Sequence, residues 1–198
     1  MTPLILAVDT TGEHGSLALA RGAELLEELP IEAPTGYAQV LYASLESLLA
    51  RHAVKISEVD CFAAANGPGT FTGVRVGLAC VKGLAEALGK PAVAVSNLAA
   101  LAACGQAPLR APLIDARRGE YYAAVYDAAG ALIIPEQVVK LPDFERLVPP
   151  GVEFLSDTRP LAAAVARLAR TQPWQDPAAL DANYVRRSDA ELSWKESL

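Results

Sequence analysis

Short apolar runs alternate with stretches of helical periodicity along this chain, which is the pattern of an α/β protein. In the first half, the apolar runs predict strands at 4–9, 16–21, 24–31, 59–65 and 91–96. Stretches with one apolar face predict helices at 37–52, 73–88 and 97–104. The pattern breaks near Gly105, so we expect one domain over residues 1–104 and another over 105–198.

The second half of the chain begins with the same order of predicted elements as the first half. A strand at 113–115, a turn and a strand at 121–126 follow the order of the first hairpin, and Asp115 takes the place of Asp9. The pattern then predicts a strand near 131–134 and helices near 143–147 and 160–171. This repeat indicates a duplicated α/β domain, and two such lobes usually hold a ligand between them.

Composition and charge narrow the class of protein. Of the 198 residues, 52% are hydrophobic, which is ample for a core, and the net charge of −6 argues against nucleic-acid binding without a basic partner. No apolar run reaches membrane-spanning length and no cationic leader is present, so we expect a cytoplasmic protein. Cys61, Cys80 and Cys104 are widely spaced in apolar surroundings, which predicts reduced core thiols.

The stretch NGPGTFTG, residues 66–73, joins a predicted strand to a predicted helix through backbone with few side chains. Its N–H groups and the positive end of the helix dipole predict an anion cradle. The stretch has neither the lysine of the common nucleotide loop nor the dinucleotide-binding spacing, and Pro68 removes one donor. The alternative is a tight turn in which Thr72 caps the helix and Phe71 packs on Val76.

Candidate catalytic residues are few. Asp9 follows the first strand beside Thr10 and Thr11, where its carboxylate could hold hydrated Mg²⁺ near a phosphate or could cap its own turn. The two histidines, His14 and His52, lie far apart in the sequence, and no serine or cysteine occupies a nucleophile motif. We therefore expect neither a catalytic residue nor a metal site.

The helix at 73–88 has two apolar stripes, one through Val74 and Leu78 and another with mostly small side chains. Such a helix needs cover on two sides, either within the fold or from a partner. With the small residues of the helix at 37–52, it could form half of an intermolecular four-helix contact. The predicted partner-binding residues are Val40, Ser44, Ser47, Gly73, Val76, Gly77, Cys80, Leu84 and Ala87.

Four segments carry a resemblance to a known family: ILAVDTT at 5–11, GPGTFTGVRVG at 67–77, DARRGEYY at 115–122 and NYVR at 183–186. They occur in order over nearly the whole chain, and the glycine segment is the specific one. In these segments the sequence resembles the TsaB (YeaZ) family. It departs from the family pattern at GYAQ, residues 36–39, where many relatives place a histidine, and this puts the partner contacts at that helix end in doubt.

The resemblance implies a two-lobed α/β fold of the actin, Hsp70 and sugar-kinase type (ASKHA) with a reduced second lobe. It further implies a non-catalytic scaffold for making N6-threonylcarbamoyladenosine (t6A) at position 37 of tRNA. The expected partners are TsaD, which transfers the threonylcarbamoyl group, and the ATPase TsaE. The chain would reach tRNA only through that complex, and homodimers through the same two helices also occur in the family. The chain lacks the His-x-x-x-His metal pair that TsaD carries.

By the same resemblance, the glycine loop corresponds to a degenerate phosphate-binding region. The residues assigned to that region are Asp9, Thr10, Thr11, Gly67, Gly69 and Thr70. No cofactor is expected beyond weak or vestigial binding of ATP or ADP with Mg²⁺. The alternative function is an ATPase or kinase of the same fold, with Asp9 at Mg²⁺. A protease would need a nucleophile or a metal that the sequence does not offer.

Overall fold

A computed structural model of the chain describes residues 2–13, 15–33, 36–156 and 160–186. The strands are β1 (Leu4–Asp9), β2 (Ser16–Arg21), β3 (Glu24–Pro30), β4 (Cys61–Ala65), β5 (Ala92–Val95), β6 (Leu109–Arg117), β7 (Glu120–Asp127), β8 (Leu132–Val139) and β9 (Glu153–Ser156). The helices are α1 (Tyr37–Arg51), α2 (Phe71–Leu88), α3 (Asn97–Ala102), α4 (Leu141–Glu145) and α5 (Ala162–Ala169). His14 and the polar tail from residue 187 onward lie outside the described residues.

The first five strands form one mixed sheet in the order β3-β2-β1-β4-β5. Within it, β1 pairs antiparallel with β2, and β2 pairs antiparallel with β3. The pairs β1 with β4 and β4 with β5 are parallel; α1 lies between β3 and β4, and α2 connects β4 to β5. Because β1 and β4 are covered on both faces, their sequences are continuous apolar runs rather than alternating ones.

The second sheet repeats this topology with one strand fewer. Its order is β8-β7-β6-β9, with two antiparallel pairs followed by the parallel pair β6 with β9. The turn after the first strand is also repeated. Asp9 Oδ1 accepts the Thr11 N–H at 2.9 Å, and Asp115 Oδ1 accepts the Arg117 N–H at 2.7 Å. The predicted repeat is confirmed in both sheet order and local hydrogen bonding.

Two apolar cores lie on opposite faces of the first sheet. On one face, Leu6 and Val8 pack with Leu41 of α1 and Val81 of α2. On the other face, the alternate residues of β1 pack with α3 and α5, and that core continues to Ile114 of the second sheet. Helix α5 therefore covers β1 and β2 although it comes from the second half of the chain.

Most of the predicted elements are confirmed. In the first half their ends move by one or two residues, so α2 begins at Phe71 rather than at 73. Strand β6 is longer than predicted, and β9 was not predicted at all. The division at residue 104 falls in the turn after α3 and stays a prediction, since α5 lies beyond it and packs on the first sheet. Among the described residues, no helix combines the length and the apolarity that crossing a membrane requires.

After α5 the chain returns across α2 as an irregular arm, residues 175–186. Gln175 and Ala92 exchange two backbone hydrogen bonds, at 2.9 and 3.1 Å, along the edge of β5. Lys82 of α2 then donates to the carbonyl of Leu180 at 3.0 Å. The arm thus fixes one side of α2 and brings the NYVR segment to the glycine loop.

Candidate functional site

The four segments that carry the family resemblance meet at one end of the first sheet. The Thr70 N–H of the glycine loop donates to the carbonyl of Thr11 at 2.7 Å. From the arm, the Asn183 N–H donates to the carbonyl of Asn66 at 2.8 Å. Arg186 pairs with Glu120 at the start of β7. Contacts between residues far apart in sequence therefore make a single site of these segments.

Asp9 is committed to its own turn. Its Oδ1 accepts both the N–H of Thr11, at 2.9 Å, and the Thr11 hydroxyl, at 2.6 Å. The side chain of Asn97 in turn donates to that hydroxyl at 2.5 Å. Only 3% of Asp9 is exposed, and burial raises the pKa of its carboxyl while the hydrogen bonds from Thr11 oppose the rise. Of the two interpretations left by the sequence, the structure shows the turn cap.

The glycine loop closes against the end of β1. A Cβ atom on Gly69 would lie 2.6 Å from the carbonyl oxygen of Thr11, which explains why a residue without a side chain occurs there. Besides the Thr70 N–H, two other donors of the loop are used within the chain. Gly67 donates to Asn97 Oδ1 at 2.9 Å, and Gly73 donates to the Thr70 hydroxyl at 3.2 Å. The predicted anion cradle therefore has fewer N–H groups to offer than the sequence implies.

The start of α2 corrects two details of the turn interpretation. Thr70, not Thr72, is the N-cap residue, because its hydroxyl accepts the Gly73 N–H. Phe71 is the first residue of the helix rather than the residue before the cap, so it does not occupy the position of a hydrophobic staple. Its ring is 59% exposed and stacks on Tyr184 of the arm, with ring centroids 6.2 Å apart. The docking of Thr70 on Thr11 decides which threonine serves as the cap.

A cleft of about 530 Å³ lies between the two sheets. Thr11, Gly69 and Thr70 line it, whereas Asp9, Thr10 and Gly67 of the predicted phosphate-binding set are buried behind its wall. The opposite wall is residues 113–117 of β6 with two tyrosines of β7, Tyr121 and Tyr122. This wall is the part of the site that sequence reasoning did not single out as ligand-facing.

The charged groups of the cleft pair with one another. Arg117 lies 3.4 Å from Asp115 and 3.9 Å from Glu13. Among the residues that the structure describes, no three histidine, cysteine or acidic side chains come together as a metal site would require. Because Asp9 is turned into its own cap and does not line the cleft, the residues present do not fit the Mg²⁺ of the ATPase alternative.

The residues predicted to bind a partner on α2 differ in their exposure. Gly73, Gly77 and Cys80 are buried inside the fold. A Cβ atom on Gly77 would lie 2.8 Å from the Thr10 hydroxyl oxygen, so the glycine allows α2 to approach β1. Cys80 lies next to Tyr42 of α1: burial raises the pKa of the Cys80 thiol, and the neighbouring Tyr42 hydroxyl opposes that rise. Leu84 is half-buried, and Ala87 is exposed.

The predicted residues of α1 lie on the side of that helix next to β3. Ser47 accepts a hydrogen bond from Arg51 at 2.8 Å, and Arg51 pairs with Glu27 of β3 at 2.7 Å. Val40 and Ser44 are half-buried along the same side. Tyr42 points the other way, toward α2, and is 57% exposed. Tyr42 is thus the large exposed side chain of α1 that was absent from the predicted set.

The outward surface of the two helices is made mostly by residues adjacent to those predicted, together with Val76 and Ala87 of the predicted set. On α2, the small-residue stripe that faces solvent begins one position earlier, at Thr72 rather than Gly73. We call the surface of the following residues the α1/α2 face: Gln39, Tyr42, Ala43, Glu46, Thr72, Val76, Ala79, Gly83 and Ala87. All are exposed except Val76, which is half-buried.

The chain is similar in sequence and in structure to proteins of known family. The model of the TsaD family, tRNA N6-adenosine threonylcarbamoyltransferase, matches residues 29–173. The tRNA threonylcarbamoyladenosine biosynthesis protein TsaB of Bacillus subtilis is 29% identical over 98% of both chains. The protein of that name from Haemophilus influenzae is 35% identical over 60% of this chain and 51% of its own. The solved structure of YeaZ from Pseudomonas aeruginosa covers 92% of this chain and 99% of its own, with a TM-score of 0.73 and 28% identity.

The chain belongs to the TsaB (YeaZ) family. Its TsaD-type domain and its two sheets of related strand order confirm the predicted ASKHA-like α/β fold. The smaller second sheet and the five-residue α4 make the second lobe the reduced one. In this TsaB-family chain the ILAVDTT and NYVR segments lie outside the match to the TsaD model, yet they contact the glycine loop inside it.

Proposed function

We propose that this protein is a non-catalytic scaffold subunit in the biosynthesis of threonylcarbamoyladenosine at position 37 of tRNA. It would act in the cytoplasm, bind TsaD through the α1/α2 face and bind TsaE together with TsaD. The names of the TsaB relatives support the pathway. With a net charge of −6, the chain would meet tRNA only through the complex. The main support for partner binding is the exposure of the small and aromatic residues of the α1/α2 face.

The α1/α2 face has the composition of a helix-packing surface. Ala79 and Gly83 have almost no side chain, and nothing lies within 4 Å of a Cβ atom built on Gly83. Small residues let a second pair of helices approach closely, and Tyr42 supplies a large aromatic group at the centre of the face. The face also carries only one charged residue, Glu46, so little charge would be desolvated on binding.

The state of the cleft supports the non-catalytic part of the proposal. The Thr11 hydroxyl donates a hydrogen bond to Asp9, and three N–H groups of the glycine loop donate to acceptors within the chain. A phosphate would have to displace these contacts before it could use them. The same commitments support a protein that works without a resident cofactor.

The first experiment is size-exclusion chromatography with light scattering on this protein alone and mixed with TsaD from the same organism. We expect a one-to-one complex that displaces any homodimer. Gly83→Glu should abolish it, because the new carboxylate would be buried against the partner. The control is Ala128→Glu, which places the same side chain on the exposed turn after β7. TsaE should co-elute only when TsaD is present.

The possible outcomes separate the alternatives. Unchanged complex formation by Gly83→Glu would remove the α1/α2 face from the interface. A wild-type protein that stays apart from TsaD at all concentrations would overturn the scaffold function. Tight Mg²⁺-dependent ATP binding by calorimetry would favour the ATPase alternative instead. Thermal melting of both variants at or above the wild-type temperature is the check that the substitutions leave the fold intact.

A further inference from the structure

Three exposed side chains form an ordered group at the start of α2. The guanidinium carbon of Arg75 lies 3.6 Å from the centre of the Phe71 ring. Its Nε donates to the Tyr184 hydroxyl at 3.1 Å. The Phe71 and Tyr184 rings stack with an interplanar angle of 27°. Phe71 is 59% exposed and Tyr184 is 51% exposed, so neither ring is part of the apolar core.

The arm that carries Tyr184 is anchored on both sides of that residue. Asn183 donates through its N–H to Asn66 and through its side chain to Glu136 Oε2 at 2.6 Å. Arg186 pairs with Glu120. Tyr184 is therefore held by the fold, and it holds Arg75 in turn.

Only one side of the guanidinium group is used by these contacts. Nε bonds to Tyr184 and the flat face lies over Phe71, while Nη1 and Nη2 make no hydrogen bond to any described residue. The Nη1 and Nη2 donors form the end-on fork that binds both oxygens of a carboxylate. Because stacking has already fixed the side chain, forming that pair would cost less conformational entropy than it does for a free arginine.

Arg75 also lies where a partner would reach it. It is one helical turn before Ala79 and next to Thr72, both on the α1/α2 face. The opposite side of α2 is occupied by α1, since Cys80 contacts Tyr42 there. A partner that covers the α1/α2 face therefore meets Arg75 at the end of the contact nearest the glycine loop.

We propose that Arg75, held by Phe71 and Tyr184, is a preformed anchor for one aspartate or glutamate side chain of the protein that covers the α1/α2 face. This inference rests on the proposed function and names the chemistry by which that partner is recognised. An RNA phosphate offers similar oxygen atoms, but the net charge of −6 disfavours the approach of RNA to this chain. The carboxylate belongs to the partner protein, and it takes hydrogen bonds from Nη1 and Nη2.

The test measures affinity for TsaD from the same organism by calorimetry, with wild-type protein and single variants. Arg75→Ala should weaken binding by about tenfold or more, because a charge-assisted pair is lost. Arg75→Lys, which keeps the charge but not the fork, and Tyr184→Phe, which keeps the ring but not the hydroxyl, should each weaken it by a few-fold. The control is Arg146→Ala, an exposed arginine that pairs with Asp143 of its own helix region, α4, and should not change affinity.

Salt provides a second readout. Wild-type affinity should fall as ionic strength rises, and that dependence should be smaller for Arg75→Ala because the interfacial charge pair is absent. A general loss of structure would not produce this change in slope. Melting temperatures of Arg75→Lys and Tyr184→Phe close to the wild-type value complete the comparison.

The outcomes distinguish failure of the Arg75 anchor from failure of the scaffold function. If wild-type protein binds TsaD and Arg75→Ala binds with the same affinity and salt dependence, the anchor is wrong and the scaffold function stands. If Arg75→Ala leaves TsaD binding unchanged but lowers the affinity of the assembled complex for tRNA, the partner group is a phosphate and the inference is overturned. If wild-type protein does not bind TsaD, both proposals fail.

Discussion

The carboxylate of Glu28, on β3, accepts a hydrogen bond from the backbone N–H of Ala163, in the first turn of α5, at 2.9 Å. Ser16 of β2 completes the arrangement, because its hydroxyl donates to Glu28 at 3.0 Å and accepts the Ala162 N–H at 3.1 Å. The residue at the N-cap position itself, Leu161, has no side chain able to accept these bonds. The first sheet therefore caps a helix that comes from the far end of the chain.

Replacing Glu28 should loosen α5 from the sheet. We expect Glu28→Ala to lower the free energy of unfolding by about 1–2 kcal/mol, since a helix cap and a partly buried hydrogen bond are lost. Urea denaturation measures the change, with Glu24→Ala, an exposed position of the same strand, as the control. Equal stability of the two variants would mean that Ser16 alone caps the helix.

The glycines of α2 should respond to alanine in opposite directions. Gly83→Ala should stabilise the protein by about 0.5–1 kcal/mol, because the site is open and alanine favours the helix. Gly77→Ala should destabilise it by about 1–2 kcal/mol, since the new methyl group would crowd the Thr10 hydroxyl, which itself donates to Gly73 at 2.7 Å. Denaturation midpoints of the two variants give the answer. A stabilised Gly77→Ala protein would contradict the close packing of α2 on β1.

Glu27 should make stability depend on pH. Hydrogen bonds from Arg51, and then from His52, hold the pKa of Glu27 below its ordinary value of 4.5. A carboxyl group whose pKa is lower in the folded state contributes stability above its ordinary pKa and loses it as pH falls through the folded value. The stability difference between wild type and Glu27→Gln should therefore be largest above that pH, at about 1 kcal/mol or less, and vanish in acid. Denaturation at a series of pH values tests this, and a difference that grows in acid would refute it.

The cysteines should differ in reactivity in the folded protein. Burial raises the pKa of Cys61 to about 12 and that of Cys80 to about 11, so neither forms much thiolate at about pH 8. Cys104 is half-buried and should be alkylated first by iodoacetamide, as followed by peptide mass spectrometry. In denaturant all three should react at similar rates. Faster labelling of Cys80 than of Cys104 in the native protein would show that α1 opens away from α2.

The strands and most helices could be predicted because their apolar periods are local properties of the sequence. Strand β9 could not, since only Leu155 of its four residues is buried and the strand exists through its pairing with β6. The cap of α2 shows the same limit. Thr70 and Thr72 are equally suitable by type, and the contact of Thr70 with Thr11, distant in sequence, decides between them.

The small residues of α2 could be predicted from the sequence, but not which of them face solvent. Periodicity showed that α2 carries small residues at helical spacing, and it could not show which of two adjacent stripes faces β1. The close contact of Gly77 with Thr10 sets that rotation. The pairing of Asp9 with Thr11 was one of two local alternatives, and the hydrogen bond from Asn97 to the same threonine favours it. Both decisions depend on tertiary contacts that a single sequence does not reveal.

The packing of α5 on β1 and β2 sets an order of events during synthesis. A ribosome delivers the first sheet early, but residues 162–169, which cover one of its faces, emerge much later. Until then the apolar side chains of Ile5 and Ala7 lack the part of their cover that α5 supplies. The nascent first half is therefore a substrate for chaperones or for association with other chains, and its folding is completed only after the second half has emerged.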